Sequence, residues 1–131
     1  LIENEAAGGL YVSDDAGATW KLIKKIRFDV TGVRPQLLQP DGMEFTKDGK
    51  NLFVALGPAN RVAVIDPKTY DVKDYILVGQ RPWHLELSPD QTKLFVANGL
   101  TNDMTIIDVA SLKAEKSVPV GRLPWGVAIM P

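Results

Sequence analysis

Cysteine is missing from this 131-residue chain, so neither a disulfide framework nor a thiolate metal site is available, and the redox compartment stays open. No charge of either sign is in surplus: 15 Lys and Arg stand against 16 Asp and Glu. Phosphate neutralisation needs a clustered excess of basic side chains, so there is no electrostatic case for a nucleic-acid partner. No apolar run approaches the roughly 20 residues of a membrane-spanning helix, and no membrane span is expected. Histidine occurs once, with no nucleophile-elbow motif to go with it, so no catalytic triad is specified. The sequence starts at Leu1 without a signal-peptide pattern, which suggests a processed or truncated chain or part of a longer protein. With 45% apolar and 24% charged residues, the composition is that of an ordinary soluble domain.

What is present is an internal repeat. Leu52-Phe53-Val54-Ala55 returns 42 residues later as Leu94-Phe95-Val96-Ala97. At the same offset Pro40 matches Pro82, Glu44 matches Glu86, Asp48 matches Asp90 and Asn60 matches Asn102. Pro82-Trp83 recurs as Pro124-Trp125, so a third copy begins near the end. A period of this length means a solenoid, a propeller or a helical array. Leu52 to Ala55 and Val62 to Ile65 are short apolar blocks rich in β-branched and aromatic residues and bounded by turn residues, which reads as strands. Their apolar letters run without alternation, as in a sheet covered on both faces. The expected fold class is therefore all-β, built of four-stranded antiparallel β-propeller blades on a repeat of about 42 residues. Propellers close with roughly four to eight blades, so the ring within this chain is incomplete.

In chain order, residues 1–26 read as the second half of a blade, because Asn4 laid on Asn98 brings Leu10 to Asp14 onto Met104 to Asp108 without a gap. The third strand is expected over 10–14 and the fourth over 19–26. The turn Ser13-Asp14-Asp15-Ala16-Gly17-Ala18-Thr19-Trp20 resembles the Asp-box of sialidases and related propellers, where its role is structural: Ser and Asp accept from turn amides, Gly supplies positive φ, and Trp packs under the hairpin. A sialidase site would also need an arginine cluster and a Tyr with an acidic partner, which nothing here assembles. Asp14 to Asp66 is 52 residues rather than 42, which places an insertion at 27–39. It lies where one blade crosses to the next and reads as a solvated excursion held by Pro35 and Pro40, or as part of a ligand face. Residues 40–81 and 82–121 read as complete blades, and 122–131 as the innermost strand of a further blade, at Trp125 to Ile129.

Phe53-Val54-Ala55 and Phe95-Val96-Ala97-Asn98, with Ile65-Asp66 and Ile107-Asp108 closing the third strands, resemble YVTN-type β-propeller repeats over nearly the whole chain. Gly32 to Gln36, Ala55 to Val62 and Val120 to Val127 look more narrowly like periplasmic propellers associated with PQQ-dependent alcohol catabolism. That resemblance implies a secreted or periplasmic seven-bladed ring whose own activity is unsettled.

The approaches to the inner strands carry the candidate ligand-binding residues: Arg34, Asp41, Gln80, Arg81, Trp83, His84, Arg122 and Trp125. Trp83 and Trp125 fall at one point of adjacent blades, where they either flank a flat ligand or each pack on a neighbouring blade. His84 replaces Gly42 and Gly126 of the other copies; it is a proton carrier, a haem ligand or a structural imidazole. Asp41, Glu44 and Glu86 would approach the axis, where repeat-equivalent carboxylates are more simply the lining of a wet channel than metal ligands. No catalytic set and no metal site is identified, and the cofactor is unknown. The first reading is a non-catalytic binding or scaffold module; the alternative is a cofactor-bearing or lactonase-like propeller enzyme with its site at this face. The expected partners are other blades covering the open ends, from a longer chain, a second copy or another subunit, besides a small-molecule or protein ligand. An unpaired edge such as Trp125 to Ile129 would otherwise invite strand addition.

Overall fold

The computed structural model describes residues 2–4, 9–13 and 15–130. Three antiparallel sheets succeed one another along the chain. The first contains β1 (Ile2–Asn4), β2 (Gly9–Val12) and β3 (Lys21–Lys25). The second contains β4 (Met43–Phe45), β5 (Leu52–Ala55), β6 (Arg61–Ile65) and β7 (Val72–Leu77). The third contains β8 (Pro82–Leu87), β9 (Lys93–Asn98), β10 (Asp103–Asp108) and β11 (Lys113–Pro119). Each is a meander in sequence order, and the registers reproduce the 42-residue offset: Phe53 faces Val64 as Phe95 faces Ile106. A bulge follows Val64 on β6 and Ile106 on β10, between the third and fourth strands. Asn4 opposite Gly9 matches Asn98 opposite Asp103, so the first sheet is in the register that its alignment requires. Asp14, assigned above to the third strand of this blade, lies outside the described residues.

The unbroken apolar runs are explained by two cores, one on each face of the middle sheet. Phe53, Val62 and Val64 pack with Leu85, Leu87, Leu94, Val96 and Ile107 of the third sheet. Leu52, Val54, Ala63 and Ile65 point the other way, against Ile26 and Phe28. All four residues of β5 are therefore buried, and the Leu52, Phe53 and Val54 side chains each stabilise the fold by about 1.5–3 kcal/mol.

The insertion differs from its expected solvated form. Ile26 and Phe28 are buried, and Val33 and Leu38 pack on the same cluster. Its Pro35–Leu37 segment makes one turn of 3-10 helix, and Tyr75 Oη accepts from the Asp29 amide at 2.8 Å. The reason is topological: the face bearing Leu52, Val54 and Ile65 needs an apolar cover, and residues 26–38 supply it. Trp125 to Ile129, expected as the innermost strand of a further blade, have no ladder among the described residues. An innermost strand takes its ladder from the second strand of its own blade, and no segment among the described residues offers one there.

The turns repeat as closely as the strands. Thr46 Oγ1 donates to Asp48 at 2.7 Å and accepts from the Asn51 amide, while Ser88 Oγ does the same with Asp90 and Lys93. Asn60 and Asn102 both adopt left-handed φ, near 57° and 58°, which Asn tolerates better than most residues. Their side-chain oxygens accept from the amides of Arg81 and Leu123, tying each hairpin tip to the following crossing. In the first sheet, Ser13 Oγ accepts from the Gly17 amide, and Asp15 accepts from both the amide and the hydroxyl of Thr19. Trp20 lies beside Gly17 of the turn and is 44% exposed.

Candidate functional site

The crossing between the second and third sheets, residues 79–81, is pinned from three sides. Arg81 donates its amide to Asn60 Oδ1 at 3.0 Å and accepts from Gly99 N at 2.9 Å. Gln80 donates its amide to Thr101 Oγ1 at 3.1 Å, and Gly79 lies so close to Asn98 and Asp103 that no Cβ could be added. The register shift between Pro82 and His84 puts Trp83 in a bulge, a device that re-aims a side chain. Trp83 lies against Gly99 of its own blade.

One face of this indole is met by Trp125, with ring centroids 4.0 Å apart and planes inclined at 53°. Arg81 also sits over the ring, its guanidinium carbon 4.9 Å from the centroid, a cation–π arrangement. Trp83, Trp125, Leu123, Pro124 and Gly99 enclose a small apolar cavity of about 170 Å³. The Trp83 Nε1 proton is buried without a partner. The two tryptophans are not equivalent in burial: Trp83 is half-buried, while Trp125 is 68% exposed. The Trp83 ring thus packs between Gly99 of its own blade and the Leu123 to Trp125 segment that begins the next.

His84 Nδ1 accepts from the Val127 amide at 3.3 Å, which in the neutral ring leaves the proton on Nε2 and gives the imidazole a structural partner. Glu44 lies near enough to Glu86 and His84 to feel both. Burial, aided by the Glu86 carboxylate and opposed by His84, pushes its carboxyl above the ordinary range. Among the described residues no three His, Asp or Glu are grouped to hold a metal ion.

Of the predicted candidates, the structure brings together Arg81, Trp83 and Trp125, with His84 and Gln80 on the same stretch of backbone. Arg122 lines a neighbouring cavity of about 450 Å³ with Ala97, Met104 and Val127. Asp41 donates its amide to the Ala55 carbonyl at the matching point of the preceding blade. Arg34 is exposed on the insertion. A groove of about 550 Å³ at the opposite strand ends, between Asp48, Lys50, Gln91 and Asp108, was not anticipated. Its signal was the repeat itself, which sets equivalent hairpin turns side by side; the Lys47 amide donates to Gln91 Oε1 across the gap.

A scan against protein-family models finds no match, and a search of curated proteins finds none either. Among solved structures, a chain of Kuenenia stuttgartiensis hydrazine synthase is 26% identical, with a TM-score of 0.67 over 91% of this chain and 35% of that one. A Bacteroides fragilis protein provisionally named a 6-phosphogluconolactonase is 22% identical, TM-score 0.70, over 94% and 36%. The Cps50 (Swd1) β-propeller domain of Myceliophteria thermophila is 17% identical, TM-score 0.58, over 66% and 28%. These sheets are β-propeller blades. The chain spans about a third of the length of the structures it matches, and its ring is incomplete.

Proposed function

We propose that this propeller is a non-catalytic binding or scaffold module, secreted or periplasmic, of the YVTN type and accessory to quinoprotein-dependent oxidation. The observation that carries the binding role is the Arg81, Trp83 and Trp125 stack at the crossing face. An indole exposed to 68% beside an apolar cavity offers a surface for a flat or apolar group, with a guanidinium in place to orient it. His84 is engaged by the Val127 amide, and the Glu44 and Glu86 carboxylates have no nucleophile beside them to serve, so the face supports recognition better than turnover. The placement beside quinoproteins rests on the sequence resemblance of Gly32 to Gln36, Ala55 to Val62 and Val120 to Val127 alone.

The test is a titration of the protein with PQQ, haem, Ca²⁺ and Mg²⁺ while following tryptophan emission. No change is expected with any of them. A saturable change that disappears in Trp125→Ala would move the function to a cofactor-bearing or lactonase-like enzyme.

A further inference from the structure

We infer that the crossing side of the second and third sheets docks a short acidic segment of a partner protein, with Arg61 and Arg81 receiving its carboxylates. The inference rests on the binding role proposed above and adds the chemistry of what is bound. It starts from how the basic residues are sorted. From residue 40 onward the arginines are Arg61, Arg81 and Arg122, and the other basic residues, His84 aside, are lysines. All of these lysines but Lys116, which is within β11, lie in the turns that join β4 to β5, β6 to β7, β8 to β9 and β10 to β11, or at the strand ends beside them. The arginines lie at the opposite strand ends: at the start of β6, between β7 and β8, and after β11.

The two sides also differ in how their charges are met. Lys50 pairs with Asp48, and Lys93 with Asp108 and Glu115, so the lysine side supplies its own counter-charges. Arg61 and Arg81 take part in none of these pairs. Arg61 donates through Nη1 to the Asn60 and Ala59 carbonyls at 3.1 and 3.4 Å, which orients the guanidinium and leaves its remaining N–H groups to an incoming acceptor. Arg81 is oriented by the Trp83 ring beneath it. Asn60 joins the two, since its carbonyl accepts from Arg61 and its side-chain oxygen from the Arg81 amide. Leu100, in the turn from β9 to β10, donates its amide to the Gln80 carbonyl and leaves its side chain 55% exposed beside the crossing. Guanidinium forks next to an apolar side chain suit carboxylates, which they meet with paired hydrogen bonds, and Arg and Trp dominate binding energy at protein interfaces. A nucleic acid or an anionic membrane responds to summed charge, which is -1 here, whereas a short acidic segment responds to the local arrangement. Both sheets that frame this crossing have all four strands, and further blades of a ring would stand beyond the first and third sheets, so the junction itself stays open to a partner.

The experiment pans a random dodecapeptide library displayed on phage against the intact chain and measures the affinity of the recovered peptides, made synthetically, by fluorescence anisotropy. Peptides rich in Asp and Glu beside an apolar residue are expected. Arg81→Leu and Arg61→Gln should each weaken them at least about tenfold, and Lys50→Gln on the other side should leave them unchanged. Leu suits position 81 because Leu123, its repeat equivalent, adopts the same left-handed φ, 49° against 56°. Raising NaCl from about 50 to about 500 mM should weaken binding as well. Peptides without acidic enrichment, affinities indifferent to both arginine variants, or a library that yields no binder overturn the inference. So does displacement of the peptides by oligo(dT) or phosphatidylserine vesicles, which would transfer the surface to those partners. Failure of the underlying reading shows separately, as a cofactor response in the titration above. Should a variant fail to fold, the composition of the peptides selected by the unmodified chain decides.

Discussion

Phe28→Ala isolates the part played by the insertion. Phe28 is 9% exposed and packs with Ile26 against Leu52, Val54 and Ile65. Truncating a buried Phe removes its transfer free energy and leaves a cavity, together about 3–5 kcal/mol. Phe28 lies in a loop outside the strands, at the margin of this cluster, where neighbours can settle inward, so the lower end, about 3 kcal/mol, is expected. Against a total of roughly 5–15 kcal/mol this is a large fraction. It corresponds to a fall in Tm of roughly 10 °C and, at a urea m-value near 2 kcal/mol/M, a midpoint lower by about 1.5 M. Urea unfolding followed by far-UV circular dichroism measures it. Arg27→Ala, on an exposed neighbour, serves as the comparison and should stay within about 0.5 kcal/mol of the parent. If Phe28→Ala is as mild as Arg27→Ala, the insertion is the solvated excursion first expected, and the face of Leu52, Val54 and Ile65 finds its cover elsewhere.

Gly99→Ala should destabilise by about 1–3 kcal/mol through overpacking, since the new Cβ would overlap Trp83 Nε1 and come within 2.7 Å of its Cδ1. A shift of tryptophan emission should accompany it as Trp83 is displaced, and an unchanged spectrum would show that the ring does not rest on Gly99. Asp90 is held at about 2 by hydrogen bonds from Ser88 and Thr92, below its usual 3.8. A depressed carboxylate contributes stability above its unfolded pKa and loses it as pH falls through the folded one. Asp90→Asn should therefore lower stability at neutral pH and flatten the acid limb between about pH 4 and pH 2, as pH-dependent urea titrations would reveal; parallel curves for the two proteins would contradict the assignment.

Local chemistry was enough to determine the blades. Strand identity follows from β-branched and aromatic blocks closed by Asp, Asn, Gly and Pro, and strand order from the 42-residue echo, so β4 to β11 lie where the residues indicate. Even the register of the first sheet followed from laying Asn4 on Asn98. Tertiary structure decided the rest. Ile26, Phe28, Val33 and Leu38 lie outside every strand and helix, and their place in the core is set by packing against the Leu52, Val54 and Ile65 face. Trp83 and Trp125 are the same letter at the same repeat position, yet one is wedged against Gly99 and the other stands in solvent, because only the first has a complete blade around it. Trp125 to Ile129 carries the sequence of an innermost strand and has no ladder among the described residues, because a strand forms only where another backbone supplies its hydrogen bonds.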